Sequence, residues 1–166
     1  MRSLLILAAP LVVLAGCIPA PRPAPPPAIT PPPPAAPAPP PALGADWRDW
    51  PLTPGTWFYR TVPGGSVAIF GATGATPTLA IRCDAPARRI AIVHPGTNPA
   101  PLTIRTSTSL RTLPLTAGQA VLGATDPLFE AIGFSRGRFI VEQAGMPPLV
   151  LPAWAEIERV TEDCRG

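Results

Sequence analysis

Short runs in which apolar and polar residues alternate recur along the chain from Thr56 onward. In the run Thr78–Cys83, the apolar residues Leu79, Ile81 and Cys83 fall on one face. A period of two residues is typical of a half-buried strand in an antiparallel sheet. The other short, β-branched or aromatic runs, each bounded by Gly, Pro, Asn or Asp, are Thr56–Thr61, Ser66–Phe70, Arg88–Val93, Leu102–Thr106, Ser109–Leu113, Arg138–Glu142 and Leu149–Leu151.

Two further segments have the features of helices. Asp126 and Pro127 form a favourable N-cap and first turn, and they open the run DPLFEAIGFS, which we predict to end near Gly137. The segment Ala153–Cys164 places an apolar stripe on one helical face, made by Trp154, Ile157, Val160 or Thr161, and Cys164. The pattern predicts an α+β fold: a mostly antiparallel β meander or sandwich-like sheet with a short helix and a C-terminal helix.

The N-terminus has the pattern of a secretory signal. A short basic start is followed by the apolar run Leu4–Ala15, which is shorter than the roughly 20 residues that span a bilayer. The residues Leu14–Cys17 (LAGC) then resemble the lipobox of bacterial lipoproteins. That resemblance implies cleavage after residue 16, lipidation of Cys17 including a palmitate-type acyl chain, and a membrane anchor. The alternative is an ordinary signal peptide with a chance cysteine.

The residues after Cys17 refine the location and the spacing of the anchor. Ile18 and Pro19 replace the Asp that would retain a lipoprotein in the inner membrane. The resemblance therefore implies the outer membrane, facing the periplasm, with the inner membrane as the alternative. In Ile18–Leu43, 14 of 26 residues are Pro, which predicts a disordered polyproline tether of up to about 80 Å; a docking site for a Pro-rich reader is the alternative.

With Cys17 acylated, Cys83 and Cys164 remain in a compartment that permits disulfides. We predict a bridge between them, which would staple the last helix to the sheet. The alternative is a metal or redox pair, which requires close Cys or His partners, and none lies in sequence range. The chain therefore divides into a signal peptide at 1–16, a lipidated tether at 17–43 and a small globular periplasmic domain at 44–166.

Charge argues against a nucleic-acid partner. The pI is 9.2 because the basic residues are Arg and none is Lys, so that a small excess of nearly permanent charges raises it. From Gly44 onward, however, the chain has 11 Arg and 10 Asp and Glu, which makes this part almost neutral. A nucleic-acid-binding domain would be basic as a whole.

Two short motifs resemble enzyme signatures. The stretch Ser66–Thr76 (SVAIFGATGAT) resembles the dinucleotide site of extended short-chain dehydrogenases. However, Pro77 replaces the third Gly, and the strand-like LAIRC leaves no room for the helix that holds the pyrophosphate. We predict a hairpin loop in which Gly71 and Gly74 adopt positive φ, and no nucleotide cofactor.

The second motif is Gly133–Gly137 (GFSRG), a literal G-x-S-x-G. In hydrolases this motif joins a strand to a helix, with the triad His downstream. Here a predicted helix precedes Ser135, and the lone His94 lies upstream. The order His94, Asp126, Ser135 mimics another protease family, but the domain is too short for paired barrels. We predict a helix C-terminus, with Arg136 or Arg138 near the negative end of its dipole.

Isolated histidine and tryptophan residues have structural interpretations. His94 lies in the turn HPGTNP without a second metal ligand nearby, so we expect no metal site. Trp47, Trp50 and Trp57 are expected to bury the N-terminal edge of the domain, with an aromatic ligand platform as the alternative.

Arginines suggest one candidate binding surface. Arg82, Arg105 and Arg111 fall at outward positions of predicted strands, and Arg88–Arg89 and Arg138 lie near them. If these strands are neighbours, they form an anion-binding face suited to phosphate or carboxylate groups. The alternative is that these arginines pair with the nearly equal number of acids.

The layout as a whole resembles Pro-rich-linker envelope lipoproteins of alphaproteobacteria. The segment LAIRC, and the longer segment that begins at DPLFEAIGF and ends at EDC, also resemble small exported β domains. These domains are of the invasion-associated locus B and type VI secretion accessory kinds. We expect a membrane-anchored periplasmic lipoprotein with a binding or structural role and no enzymatic activity. Its expected partners are the membrane and an envelope protein, peptidoglycan or lipid A. The alternative is an envelope enzyme of the serine hydrolase type or an enzyme inhibitor.

Overall fold

Two antiparallel sheets and two α-helices form within residues 46–96 and 99–166, which the computed structural model describes. The predicted lipidation site Cys17 and the predicted tether lie outside these residues. The strands are β1 (Thr56–Val62), β2 (Gly65–Gly71), β3 (Leu79–Asp84), β4 (Arg89–Val93), β5 (Leu102–Arg105), β6 (Leu110–Leu113), β7 (Gln119–Gly123), β8 (Phe139–Gln143) and β9 (Leu149–Leu151), and the helices are α1 (Pro127–Gly133) and α2 (Ala155–Arg165).

The two sheets have different strand orders. The five-stranded sheet runs β1-β2-β3-β4-β7, and the four-stranded sheet runs β6-β5-β8-β9. Each neighbouring pair is antiparallel. The predicted α+β class, with mostly antiparallel strands, a short helix and a C-terminal helix, is therefore confirmed.

One face of the five-stranded sheet packs on α2 and shares a hydrophobic core with the inner face of the other sheet. Helix α2 buries Ile157, Val160, Thr161 and Cys164. The inclusion of Trp154 in this stripe was wrong. That residue is the extended N-cap of α2 and is 44% exposed, because the helix begins one residue later.

The disulfide between Cys83 and Cys164 is confirmed, with a Cα–Cα distance of 5.5 Å. It joins the end of β3, the middle strand of the five-stranded sheet, to the last turn of α2. The predicted staple between the C-terminal helix and the sheet therefore exists.

Strand β7 was not predicted, although the sequence contains its turn. Ala117 and Gly118 have φ of 50° and 77°. Thr116 and Gln119 exchange two backbone hydrogen bonds, of 2.9 and 3.2 Å, around them. This is the geometry of a two-residue primed hairpin turn. The dipeptide Ala-Gly is a weaker sequence signal for that turn than Asn-Gly, so the strand after it was missed.

Helix α1 is shorter than predicted. The Asp126 side chain accepts a hydrogen bond from the Leu128 amide at 2.9 Å, as expected of an N-cap. The helix ends at Gly133 rather than near Gly137. The Ser135 amide donates to the Ile132 carbonyl, three residues back, at 3.1 Å, and the Ser135 hydroxyl donates to the Arg138 carbonyl in the turn that follows. Gly137 occupies that turn with φ of 75°.

The glycines of SVAIFGATGAT divide into two roles. Gly74 has a φ of 77° in the loop between β2 and β3, as predicted. The expectation of positive φ at Gly71 was wrong, because Gly71 ends β2 and pairs with Thr56. The bend lies just after it, where the Ala75 amide donates to the Ala72 carbonyl at 3.1 Å.

The N-terminal segment borders the four-stranded sheet. The Thr53 amide donates to the Val150 carbonyl, and the Val150 amide donates to the Thr53 hydroxyl, both at 2.9 Å. Trp57 is buried, and its indole N–H donates to the Pro152 carbonyl at 2.9 Å. Trp47 and Trp50 are only half-buried. No helix among the described residues is long and apolar enough to span a bilayer.

Candidate functional site

A groove lies on the face of the five-stranded sheet that points away from α2. Two hairpin tips form its end: Pro63–Gly64 between β1 and β2, and Ala85–Arg88 between β3 and β4. The Ala85 amide donates to the Gly64 carbonyl at 2.9 Å and holds the tips together. The groove has a volume of about 430 Å³ and is lined by Pro63, Gly64, Arg82, Cys83, Asp84, Arg89, Ala91, Gln119 and Val121.

Gly65 is required where the first tip enters β2. A Cβ atom built at Gly65 would overlap the Cys83 carbonyl oxygen. The close approach of these two backbones brings the tips side by side. The sequence shows two consecutive glycines here, which indicates a turn but not the strand against which the second one packs.

Strand register places three arginines on the outer face of this sheet. Arg60 lies opposite Val67, which lies opposite Arg82. These two arginines are therefore separated by one strand, or about 10 Å. Arg89 is two residues before Ala91, the β4 partner of Arg82, so Arg82 and Arg89 are diagonal neighbours.

The guanidinium groups of Arg60, Arg82 and Arg89 make no ion pair or side-chain hydrogen bond with any residue that the structure describes. Asp84 lies opposite Arg89 in register, but its Oδ1 accepts the Ala87 amide at 3.3 Å instead. Because guanidinium groups bind phosphate and carboxylate oxygens through paired hydrogen bonds, this surface is suited to an anion. We call Arg60, Arg82 and Arg89 the arginine face.

The predicted grouping of Arg82, Arg105 and Arg111 was wrong, because it assumed that their strands are neighbours. Arg82 lies in the five-stranded sheet, whereas Arg105 and Arg111 lie in the four-stranded sheet. Arg105 pairs with Glu142 at 3.4 Å. Arg111 pairs with Asp126, the cap of α1. Arg105 and Arg111 therefore pair with acids, which was the alternative interpretation of the sequence.

The sequence also placed Arg88, Arg89 and Arg138 near this group, and two of these three have hydrogen-bond partners. The Arg88 guanidinium donates to the Arg165 carbonyl at 2.5 Å, and that of Arg138 donates to the Trp50 carbonyl. Arg89 alone joins Arg82. Arg60 was missed, because the aromatic run TWFYRT indicated a strand without showing which strand lies beside it.

Exposed apolar side chains also lie on this outer face, beside the groove and within it. Phe58 is 44% exposed and Val121 is 40% exposed. A second cleft of about 250 Å³ lies between Phe58, Ile69 and the loop from Gly71 to Pro77. The outer face therefore combines unpaired cations with apolar surface.

The opposite side of this sheet carries acidic residues. Helix α2 includes Glu156, Glu158, Glu162 and Asp163. The Tyr59 hydroxyl donates to Asp163 at 2.7 Å, and this hydrogen bond raises the pKa of Tyr59. Asp84 is the one acid on the outer face of the described sheet. With Arg159 and Arg165 included, α2 has a net charge of −2, whereas the three arginines and Asp84 give the outer face a net charge of +2.

His94, Asp126 and Ser135, which occur in the order of a protease triad, each form hydrogen bonds with residues other than these three. His94 Nδ1 lies 2.8 Å from Gln143 Oε1. Asp126 binds the Leu128 amide and Arg111. The Ser135 hydroxyl accepts the Ser107 amide at 3.1 Å and donates to the Arg138 carbonyl. These contacts connect loops and strands. Within the described residues, no three His, Cys, Asp or Glu side chains gather as metal ligands do.

The segment SVAIFGATGAT leads from one strand to an antiparallel neighbour. The Thr78 amide donates to the Phe70 carbonyl at 2.8 Å, which closes the loop before β3. The arrangement is a β-hairpin, whereas a dinucleotide site uses a strand followed by a helix.

No protein-family model, curated protein or solved structure matches this chain.

Proposed function

We propose that this chain is a membrane-anchored periplasmic lipoprotein that binds an anionic component of the envelope through the arginine face. The observation that carries the binding role is the pair Arg82 and Arg89, which line one groove without an acidic partner among the described residues. The lipobox-like LAGC and the Pro-rich segment after it support the location.

The absence of acidic partners distinguishes Arg82 and Arg89 from Arg105 and Arg111, which the sequence grouped with them. A guanidinium that already binds a carboxylate, such as that of Arg111 with Asp126, has fewer donors left for a ligand. Arg82 and Arg89 keep theirs and lie on exposed strand positions. They can therefore bind phosphate or carboxylate oxygens without breaking a contact of the fold.

Titration with inorganic phosphate tests the anion site. We expect the Nε–Hε nuclear magnetic resonance signals of Arg82 and Arg89 to shift, because phosphate binding changes their hydrogen bonds. The signals of Arg105 and Arg111 are internal controls, since both are paired. Equal shifts at all four arginines, or none, would contradict the proposed site.

Palmitate incorporation tests the anchor separately. Cells that produce the wild-type chain should incorporate labelled palmitate into it, and the Cys17→Ser variant should incorporate none. Labelling that persists in the variant would remove the lipoprotein proposal but would leave the anion site intact.

A further inference from the structure

The outer face of the five-stranded sheet has two properties that one small anion would not require. Its arginines arise from strands about 10 Å apart. Phe58 and Val121 expose apolar surface on the same side. A ligand that matches both properties presents several negative groups over an apolar layer.

We infer that this face docks the domain on an anionic phospholipid surface. The occupant is the phosphate headgroup layer, with Arg60, Arg82 and Arg89 on the phosphates and Phe58 and Val121 toward the acyl boundary. The inference rests on the proposed anion-binding role of the arginine face and specifies its ligand.

Charge complementarity favours a surface over a soluble ligand. The outer face holds three unpaired arginines and one acid, Asp84. Helix α2, on the other side of the sheet, holds four acids against Arg159 and Arg165. An anionic plane attracts the first side and repels the second, so the charge distribution orients the whole domain.

The geometry also favours a plane. The apolar residues Ile69 and Val93 are half-buried between the exposed Phe58 and Val121, and strand register places all four on the outer face. No described helix packs there, since α2 lies on the opposite side and is tied to Cys83. An open sheet face of this kind can lie flat on headgroups.

Vesicle flotation tests the inference on the chain from Ile18 to Gly166, which lacks the lipid anchor. We expect it to float with phosphatidylcholine vesicles that contain about one-third phosphatidylglycerol, and to stay unbound with phosphatidylcholine alone. Added salt should weaken the binding. In Arg82→Gln/Arg89→Gln the partition coefficient should fall roughly 25-fold, or about fivefold for each charge.

A matched control separates a specific face from net charge. Arg48→Gln/Arg136→Gln removes the same charge from exposed positions outside this sheet, so its partition coefficient should stay within about threefold of the wild-type value. An equal fall in both variants would overturn the inference.

A measurement without any substitution guards against variants that fail to fold. Spin-labelled anionic lipid in nanodiscs should broaden the methyl signals of Val121. It should leave those of Leu110 sharp, although Leu110 on the four-stranded sheet is 57% exposed. Equal broadening of both would show random orientation and would overturn docking by this face.

Other occupants would give different results. Failure to float with anionic vesicles would overturn the lipid surface, and phosphate shifts at Arg82 would then leave the anion site standing. Binding to purified peptidoglycan that needs Arg82 and Arg89, without vesicle binding, would assign the face to a glycan. A dimer in solution that Phe58→Ser dissociates would assign it to a second copy.

Discussion

Glu158 lies half-buried on α2, and its Oε1 atom is enclosed without a hydrogen-bond partner among the described residues. Burial raises the pKa of this carboxyl, Arg165 lowers it, and Glu162 and Glu130 raise it further. A raised pKa in the folded state means that folding disfavours the charged form. The contribution of Glu158 to stability is therefore present below the ordinary Glu pKa of 4.5 and is lost as pH rises through the folded value.

We expect Glu158→Gln to raise the melting temperature at pH 7, because the amide carries no charge to desolvate. The gain should become small near pH 4, where most of the wild-type carboxyl is protonated in both states. Thermal unfolding from pH 4 to pH 8 measures this difference. Asp49→Asn, at an exposed position away from this helix, is the control and should show little change. A gain for Glu158→Gln that is independent of pH would contradict the assignment.

Gly65 is a second residue whose environment predicts a measurable effect. A side chain there would overlap the Cys83 carbonyl oxygen, so β2 and β3 must separate to admit it. We expect Gly65→Ala to lower the free energy of unfolding by about 3 kcal/mol. Chemical denaturation followed by circular dichroism measures it.

The neighbouring Gly64 provides the comparison. It has φ of 80° and open space around its Cα, so Gly64→Ala should lose only roughly 1 kcal/mol, from backbone strain alone. A loss at Gly65 no larger than that at Gly64 would show that the close approach to β3 is not tight.

At the scale of elements, the disulfide determines how firmly α2 is held on the sheet. Cys83 and Cys164 are 81 residues apart. A loop of this length corresponds to about 4.5 kcal/mol of stability in the chain-entropy account. We expect Cys83→Ala/Cys164→Ala to lose an amount of this order in chemical denaturation. Reduction of the wild-type chain should have the same effect, and an unchanged midpoint after reduction would contradict it.

The strands and helices also show which sequence signals were sufficient to predict where an element begins and ends. Strands β1 to β6, β8 and β9 were predicted within one or two residues, because alternation and turn residues act locally. Strand β7 was missed because its turn uses Ala117 and Gly118. The end of α1 was misplaced because the sequence does not show that the Ser135 amide bonds to the Ile132 carbonyl, three residues back, and so leaves the helical pattern.

At the scale of the whole molecule, the described elements and their core lie within residues 46–166. We therefore expect the chain from Gly44 to Gly166 to unfold with the same free energy as the chain from Ile18, within about 0.5 kcal/mol. Chemical denaturation of both chains measures this. A clear loss on removing residues 18–43 would contradict the predicted boundary between tether and domain.

The candidate site could be predicted only in part. Arg82 was identified as an outward-facing strand residue, and it lies in the groove. Arg105 has the same alternating context, yet it pairs with Glu142 in the other sheet. A period of two residues assigns a side chain to a face but does not show which strand lies beside it, and ion pairs depend on that neighbour.

The sequence by itself determined the class of fold, most element positions and the cysteines that pair, since periodicity, turn chemistry and cysteine count can be read along the chain. The tertiary structure alone decided that the strands form two sheets rather than one. It also decided that Arg60, Arg82 and Arg89 share an unpaired surface while Arg105 and Arg111 do not. The physical reason is that strand order arises from contacts between distant residues, and the free or paired state of each charge follows from that order.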